Sequence, residues 1–175
     1  MEVDKIIFGR FFRLGGSAGI ASGIFFILAA LALFTSILVS DIPALVFTTL
    51  VLFANVLIAF TIMAIYIVQI KESGNEGVAG FVLSMIGLLL DLANFFDPLG
   101  SILFIIGLTL LAFVNTRSGR LPTLALWLWV AAAVLSLPFV LLGWRLLIGL
   151  ALIISGAIRI WLGVALRLKT VAGMD

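Results

Sequence analysis

Cysteine and histidine are both missing from the 175 residues. Without cysteine there are no disulfides and no thiolate metal sites. Without histidine there is no imidazole to ligate haem or zinc, or to act as a general base near neutral pH. Charge is scarce too. Asp, Glu, Lys and Arg together make up 10% of the chain, against roughly 25% in soluble domains. The net charge of +2 is small, and no basic run could follow a phosphate backbone, so nucleic acid is not an expected partner. No nucleophile–base pair, carboxylate cluster or nucleotide motif can be assembled. The stretch "GGSAGIASG" (15–23) follows no strand and opens an apolar helix, unlike a phosphate loop. The chain therefore reads as non-enzymatic, with no cofactor and no metal expected.

Apolar residues dominate what is there, at 65% of the chain. A soluble fold of this size could not hide so much apolar surface, and lipid removes that problem. Six segments are long and apolar enough to cross a bilayer, at about 17–39, 44–70, 78–96, 99–114, 121–142 and 146–166. The breaks between them carry turn chemistry: "SDIP", "KESGNEG", "DPLG", "NTRSGR" and "GWR". The fourth segment is the shortest. Pro138 falls late in the fifth and is expected to kink it. The first apolar run is too long for a signal-peptide core and reads as a retained helix. The expectation is an all-α, polytopic transmembrane bundle of six helices. A cytoplasmic or interfacial segment (1–16) precedes the membrane domain (17–166), and a cytoplasmic tail (167–175) follows.

Cations set the expected orientation. With the N-terminus inside, Lys5, Arg10, Arg13, Lys71, Arg117, Arg120, Arg167 and Lys169 fall on the cytoplasmic side, and Arg145 alone falls outside. This predicts both termini in the cytoplasm and a multi-pass protein of the plasma (inner) membrane. Residues 5–14 mix Ile and Phe with three cations and are expected to lie along the inner interface on anionic lipid.

Transmembrane helices pack through small residues and a few hydrogen bonds. Helix 1 carries Gly15, Gly19 and Gly23, four apart, and helix 6 carries Gly149, Gly156 and Gly163, seven apart. In helix 3, Gly80, Ser84, Gly87, Asp91 and Asn94 form one stripe at spacings of 4, 3, 4 and 3. Asp91 thus extends a packing seam. Arg159 lies between Gly156 and Gly163 on the glycine face of helix 6. Helix rise places Asp91, Arg159 and Asn55 of helix 2 at neighbouring depths. Asn55, Asp91, Asn94 and Arg159 are therefore the candidate intramembrane polar cluster. A buried Asp–Arg pair that fixes helix register is one reading of it. An ion or ligand site is the other, because charge inside a membrane is costly and marks function. Of the tryptophans, Trp144 and Trp161 suit interfacial belts, while Trp127 and Trp129 read as packing or lipid contact first and as the lining of a ligand cavity second.

Residues 103–130, "LFIIGLTLLAFVNTRSGRLPTLALWLWV", join a glycine-bearing helix, a basic R-S-G-R-L-P turn and a further apolar helix. With "RLGGSAGIASGIFFILA" (13–29) and "LIGLALIISGAIRIWLGVALR" (147–167), they resemble a broad set of small bacterial integral membrane proteins grouped as domains of unknown function. The resemblance implies a helical bundle in the plasma membrane and no particular activity. The first functional expectation is a structural or assembly component, a homo-oligomer or part of a larger membrane complex, surrounded by lipids. Its docking faces would be the glycine ridges of helices 1 and 6. The alternative is a small transporter or ion/proton channel using Asp91 and Arg159. A membrane enzyme or lipid-binding protein comes third.

Overall fold

The computed structural model describes residues 2–38, 44–94 and 98–172, with side chains over 11–37, 45–93 and 98–168. Six α-helices occupy the described residues: α1 (Glu2–Leu38), α2 (Ala44–Gln69), α3 (Gly74–Asn94), α4 (Pro98–Ser118), α5 (Thr123–Leu141) and α6 (Arg145–Ala172). Each is long and apolar enough to cross a membrane. The chain is an all-α, multi-pass membrane protein, as the apolar segmentation implied.

Three boundaries differ from expectation. The first helix runs unbroken from Glu2, so residues 5–14 are continuous with the helix that carries the first candidate span, Phe11–Ile37. The fourth helix is not short. It has 21 residues, because Asn115 and Thr116 are polar without breaking a helix. The break comes at Gly119, whose φ of +59° leaves the right-handed region. The sixth helix extends through the expected tail to Ala172. The "SDIP" turn and Asp97 fall outside the described residues.

Neighbours in sequence are neighbours in space. The helices form a ring in chain order, closed by extensive packing of α1 on α6, while α2 also reaches across to α4 and α6. Among the described residues α3 and α6 do not touch. Two antiparallel seams hold the ring. In the first, Gly16 and Gly23 of α1 meet Gly163 and Gly156 of α6. A Cβ on Gly156 would sit 2.6 Å from the Gly23 carbonyl oxygen, and one on Gly163 would sit 2.5 Å from that of Gly16. In the second, Gly80 and Gly87 of α3 meet Gly107 and Gly100 of α4. Both seams repeat every seven residues, the spacing that keeps one helix face turned to a partner. With glycine at these points the backbones approach closely and dispersion contacts accumulate, which matters because lipid supplies no hydrophobic drive between helices.

The seams correct the expected docking faces. Gly19 and Gly23 are buried against α6, Gly15 is buried against Ala64 of α2, and Gly149 is covered by the Phe34 ring. These ridges are consumed inside one chain and offer no face to another. The helix 3 stripe likewise turns to α4, with Ser84 buried beside Gly107. Behind the seams the core is large and apolar, with Ile58, Ile62, Ile65, Leu108, Leu111, Leu126, Trp129 and Leu162 fully buried. Leu45, Leu135, Leu150 and many other apolar side chains point outward, as lipid permits.

At the end of the bundle that holds the α2–α3 and α4–α5 turns, Asn115 ties the chain down. Its Nδ2 donates to the Leu121 carbonyl (3.0 Å) and to Thr123 Oγ1 (3.3 Å), and its Oδ1 accepts from the Leu121 N–H (2.9 Å). Exposed ion pairs Arg117–Glu76 (2.9 Å) and Arg120–Glu72 (2.5 Å) link the same two turns.

Candidate functional site

The ring of helices leaves a cavity of about 120 Å³ in its middle. All six helices contribute to its wall. At one end lie Phe26, Ile58, Trp129 and Arg159. From there the cavity reaches toward the opposite end of the bundle from Asn115, to half-buried Val140 near the end of α5 and Ile148 in the first turn of α6. Along α6 the wall runs 11 positions from Ile148 to Arg159, so the cavity spans roughly 16 Å of helix rise.

Arg159 is held by aromatic rings. Its Cζ lies 3.7 Å from the Phe26 ring centroid and 5.2 Å from that of Trp129. Phe104 meets Trp129 edge-on at 6.0 Å and continues the aromatic layer. A guanidinium presents its faces to rings and its N–H donors in its own plane. With faces occupied by aromatics, the donors are left for the cavity. Arg159 is only 5% exposed, yet its Nε and Nη1 have no hydrogen-bond partner from the protein. The Trp129 Nε1–H on the same wall has none either. Cation–π contact in a desolvated site stabilises by about 2 kcal/mol. An unmet buried donor costs roughly 1–3 kcal/mol, more when charged. The rings therefore offset only part of the cost of placing this charge here.

Asp91 also lines the cavity, nearer its mouth. Its Oδ1 accepts from Ser101 Oγ of α4 (3.2 Å). It follows Gly87 by one turn, so the α3–α4 glycine seam presses it against Gly100 and Ser101. Asn55 of α2 is a third wall residue. Thus three of the four expected cluster members, Asn55, Asp91 and Arg159, share one cavity. The fourth, Asn94, ends α3, and its side chain lies outside the described residues. The expected direct Asp91–Arg159 pair is not formed. The ion pairs among the described residues are those of Arg117 and Arg120, and α3 and α6 stand across the cavity from one another.

Sequence reasoning passed over Phe26, Ser101, Ser136 and Ser155, and named Trp129 as a cavity-lining residue only behind packing or lipid contact. A phenylalanine in an apolar helix carries no local sign that it will meet a cation. Trp129 had such a sign in one respect: its ring carries an N–H that needs an acceptor when buried. Trp127, two residues away, is partly exposed and donates to Thr116 Oγ1 (3.2 Å) instead.

Electrostatically the site is a deep apolar pocket with an arginine at the bottom, free N–H donors beside it and a carboxylate closer to the entrance. That arrangement leaves positive charge and unmet donors at its base. Among the described residues no group of three or more Asp or Glu side chains is placed to hold a metal ion. Comparison with protein-family models, with curated proteins and with solved structures finds no match.

Proposed function

We propose that this membrane protein binds a small anion-bearing solute in its central cavity, as a binding or transport component rather than an enzyme. One observation carries the reading. Arg159 is buried in the cavity wall with two nitrogen atoms that no protein group satisfies. A register-fixing salt bridge would have placed a carboxylate on those donors, and none is there. The missing histidine and cysteine and the scattered carboxylates favour binding over catalysis. Assembly with further copies or other subunits would need faces other than the glycine ridges.

The distribution of Lys and Arg supports placing both chain ends in the cytoplasm of a plasma-membrane protein, the two ends sharing a side because the number of spans is even. In that orientation the cavity reaches toward the outside.

The test is thermal unfolding of the purified protein in mild detergent with increasing acetate, lactate or phosphate. Ligand at about 100 times its dissociation constant stabilises by about 2.7 kcal/mol, a rise of roughly 5 °C or more in Tm. Wild type is expected to respond to at least one anion. Arg159→Gln is expected to fold, to unfold at the same or a higher temperature without ligand, and to show no response. Equal responses in both proteins, or none in wild type, defeat the reading. Uptake of the stabilising anion into liposomes then separates a carrier from a binder.

A further inference from the structure

Between Arg159 and the mouth, the two sides of the cavity differ. On α3 and α4 the wall carries Asp91 and Ser101, bonded to one another. On α5 and α6 it is largely apolar, with Ala133, Leu137 and Val140 on one helix and Leu152, Ala151 and Ile148 on the other. Spaced three or four apart, each set follows one helix face. Ser136 lies in this strip, but its Oγ donates to the Ala133 carbonyl of its own helix (2.8 Å). Ser155 stands one turn from Arg159 and joins the polar base. That base holds Arg159, with Nε and Nη1 unmet, and the fully buried Trp129, whose Nε1–H is unmet as well.

A small hydrophilic anion answers the base alone. It pairs with the guanidinium and leaves water against the apolar strip, where that water finds few polar partners. A hydrocarbon tail joined to the anion displaces the water. Each CH₂ moved from water onto an apolar wall strengthens binding roughly fourfold. A second negative charge would find no cation on α5 or α6 beside the strip and would be costly to desolvate. A single carboxylate matches a single guanidinium.

Resting on the anion-site reading of Arg159, we propose that the ligand is an amphiphilic monocarboxylate, bound head first. Its carboxylate sits on Arg159, with the Trp129 N–H and Ser155 beside it. Its alkyl tail lies along the α5–α6 strip toward the mouth. Asp91 and Ser101, on the other side of the cavity, take no part. The same chemistry is available from water as a medium-chain carboxylate and from the bilayer as a free fatty acid.

Calorimetric titration of the purified protein with unbranched carboxylates, from acetate through octanoate, tests this. Arg159→Gln supplies the background for partition into detergent. With that background removed, affinity is expected to rise with chain length, octanoate binding roughly a hundredfold or more tighter than acetate. Alkyl alcohols of the same lengths are expected to treat wild type and Arg159→Gln alike. Ala133→Leu and Ala151→Leu each fill the strip, and a variant that melts near wild type is expected to lose most of the rise with length. In phosphatidylcholine nanodiscs, octanoate binding that oleate in the bilayer competes away assigns the ligand to the membrane; binding indifferent to oleate assigns it to water. Affinity equal from acetate to octanoate, or phosphate binding as tightly as octanoate, overturns the tail and leaves the anion site standing. A rise unchanged in both folded leucine variants overturns the tail's place on α5 and α6. A rise identical in wild type and Arg159→Gln, or no binding of any carboxylate or of phosphate, overturns both the tail and the anion site.

Discussion

Arg159 and Asn115 are both buried polar side chains in an apolar bundle, and they differ in how far the protein satisfies them. Asn115 is fully buried and uses both ends of its amide on the α4–α5 turn. Its loss strands the Leu121 N–H and carbonyl at a cost of roughly 1–3 kcal/mol each. Asn115→Ala is therefore expected to lower stability by about 2–4 kcal/mol without touching ligand response, and an unchanged Tm would refute this. Arg159 is only half provided for, by aromatic rings beside the guanidinium and by no protein group on Nε and Nη1. Removing it is expected to do the reverse: little or no loss of stability and complete loss of ligand response. The two residues separate a structural polar group from a functional one within the same membrane domain.

At the level of helices, glycine spacing decides which pairs lock together. The α1–α6 and α3–α4 seams use the same device, antiparallel glycines seven apart. At Gly23 an added Cβ would overlap the Gly156 carbonyl, and at Gly87 it would overlap the Phe104 backbone. Gly23→Leu and Gly87→Leu are expected to destabilise the monomer by more than the ~1–3 kcal/mol of ordinary overpacking, because backbone rather than a flexible side chain stands in the way. Ala157→Leu, on the exposed side of α6 next to Gly156, is the control and should change little. Melting temperature and monomer yield on size-exclusion chromatography read the outcome; a change in oligomer size with an unchanged melting point would count against an internal seam. The glycine ladders of helices 1 and 6 were legible as packing faces from their spacing alone. Their partner was not, since a small-residue ridge looks the same whether it meets its own chain or another.

For the molecule as a whole, the absence of cysteine makes orientation directly measurable. Asn75 in the first turn of α3 and Leu142 at the end of α5 are exposed and lie at opposite ends of the bundle. Single Asn75→Cys and Leu142→Cys variants in intact cells should differ toward a membrane-impermeant maleimide. Labelling is expected at 142 and not at 75 until the membrane is opened, and the opposite pattern would invert the proposed topology. The surface ion pairs at the Asn75 end, Arg117–Glu76 and Arg120–Glu72, contribute no more than about 1 kcal/mol each. The positive charge they partly neutralise therefore bears on threading more than on stability.

Composition and hydrophobic run length were enough to establish six spans, because the bilayer imposes one length and one polarity on every crossing helix. The same scarcity of charge made Asn55, Asp91 and Arg159 conspicuous, since any polar residue in such a run needs a reason to be there. Rise per residue even placed them at neighbouring depths. Helix order around the ring was another matter. It depends on which ridge fits which groove, a property of pairs of surfaces that no single helix carries. Only the folded chain put α3 and α6 on opposite walls, parted Asp91 from Arg159 and turned Phe26 and Trp129 onto the guanidinium. What looked in one dimension like a salt bridge between two helices is, in three, a cavity with a charge at each end.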